Sequence, residues 1–206
     1  MRNILVVVDA QKDFIDGVLG SEDAQKAIPN VCHEIEFGGH DQIIQTMDTH
    51  YEHTYMSTLE GQKLPVPHTL IGTEGWNLND LVNSAICRSA VPVTVVPKET
   101  FGSVILDAVI LDVLNWDDPA YRVKAREEYR LVNHVAKSDT RNSYDISFTI
   151  IGFDTDICVV SNALILRAYF PNAPIRVIAK ACAGTSPEKH EAALAVMESC
   201  QIEIVR

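Results

Sequence analysis

A thiol, a carboxylate and an ammonium each sit at the close of an apolar run in this 206-residue chain. Together they could supply a nucleophile, its base and a counter-charge. Cys158 completes Ile151-Gly152-Phe153-Asp154-Thr155-Asp156-Ile157-Cys158, where a buried strand signal over Ser147 to Ile151 gives way to a helix signal over Val160 to Tyr169. Near a helix N-terminus, unpaired amide N–H groups and the helix dipole favour a thiolate, lowering the thiol pKa from about 8.5, and the same amides can hold an oxyanion. Asp9 follows Ile4 to Val8, and Lys98 follows Val93 to Val96. All three residues therefore fall at the C-terminal ends of predicted strands, the edge where doubly wound sheets bind ligands. The implied chemistry is attack by the Cys158 thiolate, with Asp9 accepting the proton and Lys98 holding both groups ionised. Taken singly, the three also read as a small buried hydrophobe, a strand-end aspartate and a surface lysine.

A second group lies at the end of another strand. Asp48 and His50 are one residue apart, so both project to one face if extended geometry persists, and a carboxylate beside an imidazole can begin a metal site. The competing reading is that the imidazole satisfies buried backbone groups. His33, His40, His134 and His190 lie in polar or amphipathic stretches and are expected to face solvent.

These residues need a sheet to position them. Strand signals recur at Asn3 to Val8, Gln42 to Met47, Val93 to Val96, Ser147 to Gly152, Arg176 to Ala179 and Ile202 to Val205. Helix-length segments separate most of them, predicted at Glu22 to Phe37, Leu78 to Ser84, Val104 to Leu114, Asp156 to Tyr169 and Pro187 to Ser199. The rhythm is βαβ, hence an α/β fold, although strand order does not follow from the pattern. Ser186 is the expected N-cap of the last helix, with Pro187 at its first position. Residues 115–144 read as an insertion with a charged helical stretch from Arg122 to Lys137: a solvated excursion, a lid or a subunit contact.

Composition bounds the rest. A hydrophobic fraction of 47% and mean hydropathy of +0.03 suit a single domain over residues 1–206 with a substantial core. The net charge of -11 comes with no basic stripe, so nucleic acid is not an expected partner. The apolar runs are strand-sized and the N-terminus leads directly into a strand, so neither a membrane span nor a secretory signal is expected, and the cytoplasm is the expected location. The five cysteines, at positions 32, 87, 158, 182 and 200, form no zinc-finger spacing and are expected to be reduced thiols. All but Cys158 read as structural or incidental.

Five ordered motifs carry a family resemblance: Val8-Asp9-Ala10-Gln11-Lys12-Asp13-Phe14 with Gly17-Val18-Leu19-Gly20; Asp48-Thr49-His50; Pro67-His68 with Gly72-Thr73-Glu74-Gly75-Trp76; Lys98-Glu99-Thr100-Phe101-Gly102; and Gly152-Phe153-Asp154-Thr155-Asp156-Ile157-Cys158-Val159. The chain resembles the isochorismatase-like cysteine hydrolases, in particular the nicotinamidase/pyrazinamidase branch. The resemblance implies a doubly wound, Rossmann-like six-stranded parallel sheet with helices on both faces. It implies amide hydrolysis rather than vinyl-ether cleavage, because the isochorismatases that name the superfamily lack the nucleophilic cysteine. Nicotinamide is the first expected substrate. It also implies a divalent metal, zinc first and iron or manganese as alternatives, held by Asp48, His50, Glu60 and His68, with His53 as the alternative to Glu60 and the ring nitrogen of the substrate on the metal. Phe14 and Trp76 match aromatic positions that can sandwich a flat ring or simply pack in the core. The oxyanion hole is expected at the amides of Asp154 and Cys158, with a cis peptide before Asp154. Asp154 itself departs from the small or apolar residue usual at that place in the family, which bears on the substrate accepted. Rival readings are an amidase for a carbamoyl or ureido compound, and a non-catalytic thiol-based binding or redox protein on the same fold. A homo-oligomer is the family expectation.

Overall fold

Strands that read as unbroken Val and Ile can be buried on both faces only within a parallel sheet covered by helices. In the computed structural model, which describes residues 1–115 and 145–206, this is the architecture found. The strands are β1 (Arg2–Val8), β2 (Gln42–Asp48), β3 (Val93–Lys98), β4 (Ile146–Phe153), β5 (Ile175–Ala183) and β6 (Glu203–Val205). They form one all-parallel sheet in the order β3-β2-β1-β4-β5-β6. Apart from the end of one helix at Asn115, the expected insertion over 115–144 and His134 lie outside the described residues.

Alternation along β1 divides the core. Ile4, Val6 and Val8 join Phe148 and Ile150 under the helices α5 (Leu106–Asn115), α6 (Val160–Tyr169) and α7 (Pro187–Ser199). Leu5 and Val7 face the other way, onto α2 (Glu22–Phe37) and α4 (Asp80–Ser89), through Ile28, Val31 and Val82. Two short helices, α1 (Lys12–Ile15) and α3 (Leu59–Lys63), sit in the loops after β1 and β2. Among the described residues no helix is long and apolar enough to cross a membrane.

Helices α2 and α7 have the predicted bounds. Ser21 Oγ accepts from Ala24 N at 3.1 Å and Ser186 Oγ accepts from Lys189 N at 3.3 Å, each satisfying an amide that the first turn leaves unpaired. Other elements differ from expectation: β5 runs on to Ala183 and α5 begins at Leu106. Helix α4 begins at Asp80 because Asn79 caps it, its Oδ1 accepting from Leu81 N at 3.0 Å. The helix predicted from Asp156 is instead a π-helical turn over Thr155–Val159 that passes into α6, so Cys158 sits in a widened first turn.

Strand order matters for the site. The chain builds outward from β1 to β2 and β3 on one side, then returns to place β4 on the other. The crevice at such a reversal, beyond the C-terminal strand ends, is the usual ligand position in open α/β sheets.

Candidate active site

Adjacent strands deliver the reactive groups side by side. Asp48 and Lys98 are register partners at the ends of β2 and β3, and Asp9 leaves β1 next to them. Asp9 has a φ of 46°, uncommon for a residue with a Cβ, and the surrounding bonds hold it there. Its amide donates to Thr46 O at 3.2 Å and the Thr46 hydroxyl donates to Asp9 Oδ1 at 2.7 Å. Cys158 approaches from the turn after β4, across a register shift where Gly152 adopts a φ of 126°. A Cβ on Gly152 would run into the Val8 carbonyl, so a side chain there would push β1 and β4 apart.

Lys98 is the hub. Its Nζ lies 2.7 Å from Asp9 Oδ2, 3.3 Å from Asp48 Oδ1 and 3.6 Å from Cys158 Sγ. All four residues are buried. Burial works against the charge on Lys98, but Asp9, the thiol and Asp48 outweigh it and raise its pKa, so the ammonium persists. Burial also raises Asp9 against the pull of Lys98, making it a stronger base than an ordinary aspartate. The Cys158 thiol is pushed well above its usual value by burial and then by Asp9, with Lys98 opposing. The expectation of a thiol lowered by a helix N-terminus is therefore corrected. Burial and the charge of Asp9 favour the neutral thiol, and Lys98 opposes them. Although Asp9 Oδ2 is close to Lys98, it makes no aligned hydrogen bond, which leaves an oxygen lone pair available for the thiol proton.

The second cluster lies on the other side of Asp48. Ligand atoms of Asp48, His50 and His68 all fall within 4.8 Å of one another. Glu60, in the first turn of α3, places Oε2 3.7 Å from His50 Nε2 and Oε1 3.5 Å from His68 Nε2. His53, the alternative ligand, is exposed and stacks loosely near Tyr51 with ring centroids 6.1 Å apart. The structure brings Glu60 and not His53 to the cluster. His68 Nδ1 lies 2.8 Å from Val66 O, and a carbonyl can only accept, so Nδ1 carries a proton and Nε2 is the ring nitrogen turned to the cluster. His50 Nε2 is buried and lacks an aligned hydrogen bond despite lying 3.0 Å from Asp48 Oδ2. Burial opposes a charge on His50, yet Asp48 and Glu60 raise its pKa to about 9: the two carboxylates call for a positive charge at this point. Two carboxylates, two imidazoles and an orphaned ring nitrogen fit a divalent cation of the zinc, iron or manganese type.

A cavity of about 300 Å³ exposes Asp48, Glu60 and His68 together with Asp154 and Cys158, and Phe14 and Phe101 contribute its aromatic walls. Trp76 does not line it, a correction to its expected place against the substrate. Its Nε1 donates to Thr49 Oγ1 at 3.0 Å and its carbonyl accepts from Gln11 Nε2 at 2.9 Å, so it braces the segment between Asp48 and His50 from outside. The Phe153–Asp154 peptide is cis. Two histidines expected in solvent are not there. His40 is buried against Glu34 at 3.0 Å, and half-buried His190 meets Thr155 Oγ1 through Nδ1 at 2.8 Å, whereas His33 is exposed.

Several positioning residues escaped the sequence reading. Asn162, one turn beyond Cys158, donates to Cys158 O at 2.8 Å and Phe101 O at 3.2 Å and accepts from Ser103 N at 2.9 Å. It ties the nucleophile turn to the loop after Lys98. Gln11 donates to Asp48 O at 2.8 Å, and Thr69 donates from its hydroxyl to Asp48 Oδ2 at 2.7 Å. The available signal was a polar residue on a helix face that must be buried, at Asn162, and a polar residue inside an otherwise recognised motif, at Gln11.

Residues 134–206 match the isochorismatase domain family model, a stretch that includes β4, the Cys158 turn and everything after it. The fold is isochorismatase-like. Among solved structures, the chain is similar to nicotinamidase from Bacillus subtilis, with 22% identity, all of both chains covered and a TM-score of 0.68. It is similar to the pyrazinamidase of Pyrococcus horikoshii in complex with zinc, with 23% identity, coverage of 100% and 99% and a TM-score of 0.63. It is also similar to N-carbamoylsarcosine amidase from Thermoplasma acidophilum, with 21% identity, coverage of 100% and 96% and a TM-score of 0.64. No curated protein matches it by sequence. At these identities the structural likeness is one of fold, and the isochorismatase-like fold alone does not assign a reaction.

Proposed function

We propose that this isochorismatase-like protein is a cysteine amidohydrolase that converts a small carboxamide, nicotinamide in the first instance, to the acid and ammonia. The observation that carries the reading is the buried contact of Cys158 Sγ with Lys98 Nζ at 3.6 Å, itself paired with Asp9 at 2.7 Å, in a cavity wall. Nucleophile, cation and base within one contact are the parts that acyl transfer needs. The similar proteins named above as nicotinamidase and pyrazinamidase support the choice of substrate.

In this mechanism Asp9 takes the proton from Cys158 as Sγ attacks the amide carbon, and Lys98 keeps the developing charges from repelling each other. The amides of Asp154 and Cys158 hold the tetrahedral oxyanion. Asp9 returns its proton to the departing ammonia, leaving a thioester on Cys158, and then takes a proton from the water that hydrolyses it. Phe14 packs beside the reacting ring. Asp48, His50, Glu60 and His68 would hold the divalent cation, which when bound supplies a Lewis-acidic anchor for a ring nitrogen. Ammonia release from a small-amide panel headed by nicotinamide, with metal analysis of the same preparation, tests the reading. Absence of ammonia from every amide by metal-loaded protein overturns it.

Lys98 is the main force lowering the thiol pKa in this site, opposed by burial and Asp9. Lys98→Met is expected to raise that pKa further and to slow alkylation of Cys158 near neutral pH by about 10- to 1000-fold, with turnover falling in step. Equal alkylation rates across the pH range in a variant that melts like the wild type would place Lys98 outside the chemistry.

Chelation should raise KM for nicotinamide while alkylation of Cys158 by a small reagent changes little, because the thiol centre touches the cluster only through Lys98 and Asp48. His50→Ala should reproduce the chelated protein and His53→Ala should be silent. Stoichiometric metal retained in His50→Ala, or metal lost from His53→Ala but not from Glu60→Ala, refutes the ligand set.

A further inference from the structure

Two carboxylates flank Thr155 in the nucleophile turn, and their surroundings differ. Asp156 is fully engaged: its Oδ1 accepts from Thr185 N at 2.8 Å and its Oδ2 from Thr185 Oγ1 at 2.7 Å. That carboxylate fastens the turn to the loop after β5. Asp154 occupies the N-cap position of the same turn, where an aspartate ordinarily accepts from the turn's amides, yet its side chain makes no capping bond. Among the described residues its carboxyl has no hydrogen-bond or ion-pair partner, although its backbone carbonyl accepts from Ile157 N and Val159 N, and it lines the cavity with Cys158.

The rest of the lining makes this choice consequential. Among the described residues no lysine or arginine lines the cavity, and Lys98 is buried behind it between Asp9 and Asp48. The other carboxylates of the lining, Asp48 and Glu60, already face His50 and His68. Asp154 is the one with no hydrogen bond or ion pair of its own; the His68 ring offsets its charge only at a distance. Burial, then Asp156 and Asp9, raise its pKa to about 7 against the opposing pull of His68.

We propose that Asp154 is the specificity-determining residue of this site: its carboxyl receives an N–H donor, neutral or cationic, from the part of the amide substrate beyond the reacting group, and excludes amides that carry a carboxylate there. The assignment rests on the amidohydrolase reading and narrows it. A substrate donor would complete the unsatisfied carboxyl and, if cationic, also return its charge to a favourable balance. A substrate carboxylate would meet the like charge of Asp154 in a partly desolvated wall where no described lysine or arginine compensates both, which is unfavourable. The placement disfavours amides of dicarboxylic acids and carbamoyl amino acids, tolerates uncharged rings such as nicotinamide, and favours rings that bear an amino or aminomethyl group.

Three amides of similar size test this: benzamide, 3-(aminomethyl)benzamide and 3-carbamoylbenzoate, assayed with metal-loaded wild type, Asp154→Asn and Asp154→Ala. Two readouts are taken, kcat/KM for ammonia release and the concentration of each amide that protects Cys158 from iodoacetamide. In the wild type the aminomethyl compound should exceed the carboxylate compound by about 100-fold in both, and each variant should shrink that ratio by about 10-fold or more, chiefly through KM. A ratio unchanged in both variants, or equal protection by all three amides in the wild type, overturns the role of Asp154 even if ammonia is released. Protection that follows charge and responds to Asp154 without any ammonia release leaves the selectivity standing and removes the amidohydrolase reading instead.

Discussion

Replacing Cys158 with alanine is expected to abolish ammonia release, a loss on the order of 10⁶-fold, because the thiol supplies the atom that bonds to the acyl carbon. The fold should survive. The substitution removes one sulfur from a site whose other buried groups keep their partners: Lys98 retains Asp9 and Asp48, and Asn162 still binds the backbone carbonyl at position 158. A burial-raised thiol carries no charge in the resting site, so its loss leaves no ion unpaired. Ammonia release and a thermal melt of the purified variant check both halves. Turnover comparable with the wild type would mean that another group attacks the amide.

Asp9→Asn is expected to cost roughly 10³-fold in kcat, the scale of a lost general base. Asparagine matches aspartate in shape and can still accept the Thr46 hydroxyl, so the backbone at this positive-φ position has the same anchor. It cannot take the thiol proton or return it to ammonia. The pH profile gives a second readout with a definite sign. Asp9 acts as a carboxylate, and burial raises its pKa, so wild-type kcat/KM should fall as pH drops through that raised value. The acidic limb should disappear in Asp9→Asn. A variant that keeps wild-type turnover and the same acidic limb excludes Asp9 as the base. The variant also removes one of the two carboxylates around Lys98, and its melting temperature separates lost chemistry from a weakened buried pair.

The local parts of this protein were open to reading because their signals are local. Ile4 to Val8 is a buried strand by its unbroken apolar residues, and α7 announces itself through Ser186 and Pro187. Asp9, Lys98 and Cys158 could be placed at strand ends for the same reason: a change from apolar to polar marks where a strand leaves the core. The Cys158 turn was legible only in part. Its position followed from the strand before it, but the wide π turn depends on how β4 and β5 shift register around Gly152, which no periodicity encodes.

The sequence by itself determined the α/β class, most elements and the placing of Asp9, Lys98 and Cys158 after apolar runs, since each depends on neighbours a few positions away. Only the tertiary structure decided the order β3-β2-β1-β4-β5-β6, and with it that Asp48 stands in register with Lys98, one strand from Asp9. It also decided that Glu60 rather than His53 reaches His50 and His68, that Trp76 stays outside the cavity, and that His40 is buried against Glu34. The Cys158 thiol is the sharpest case. A helix terminus read from sequence favours the thiolate, whereas the folded site raises the thiol pKa, because desolvation and the charge of Asp9 come from chain segments far away in sequence and act only once the sheet has closed around them.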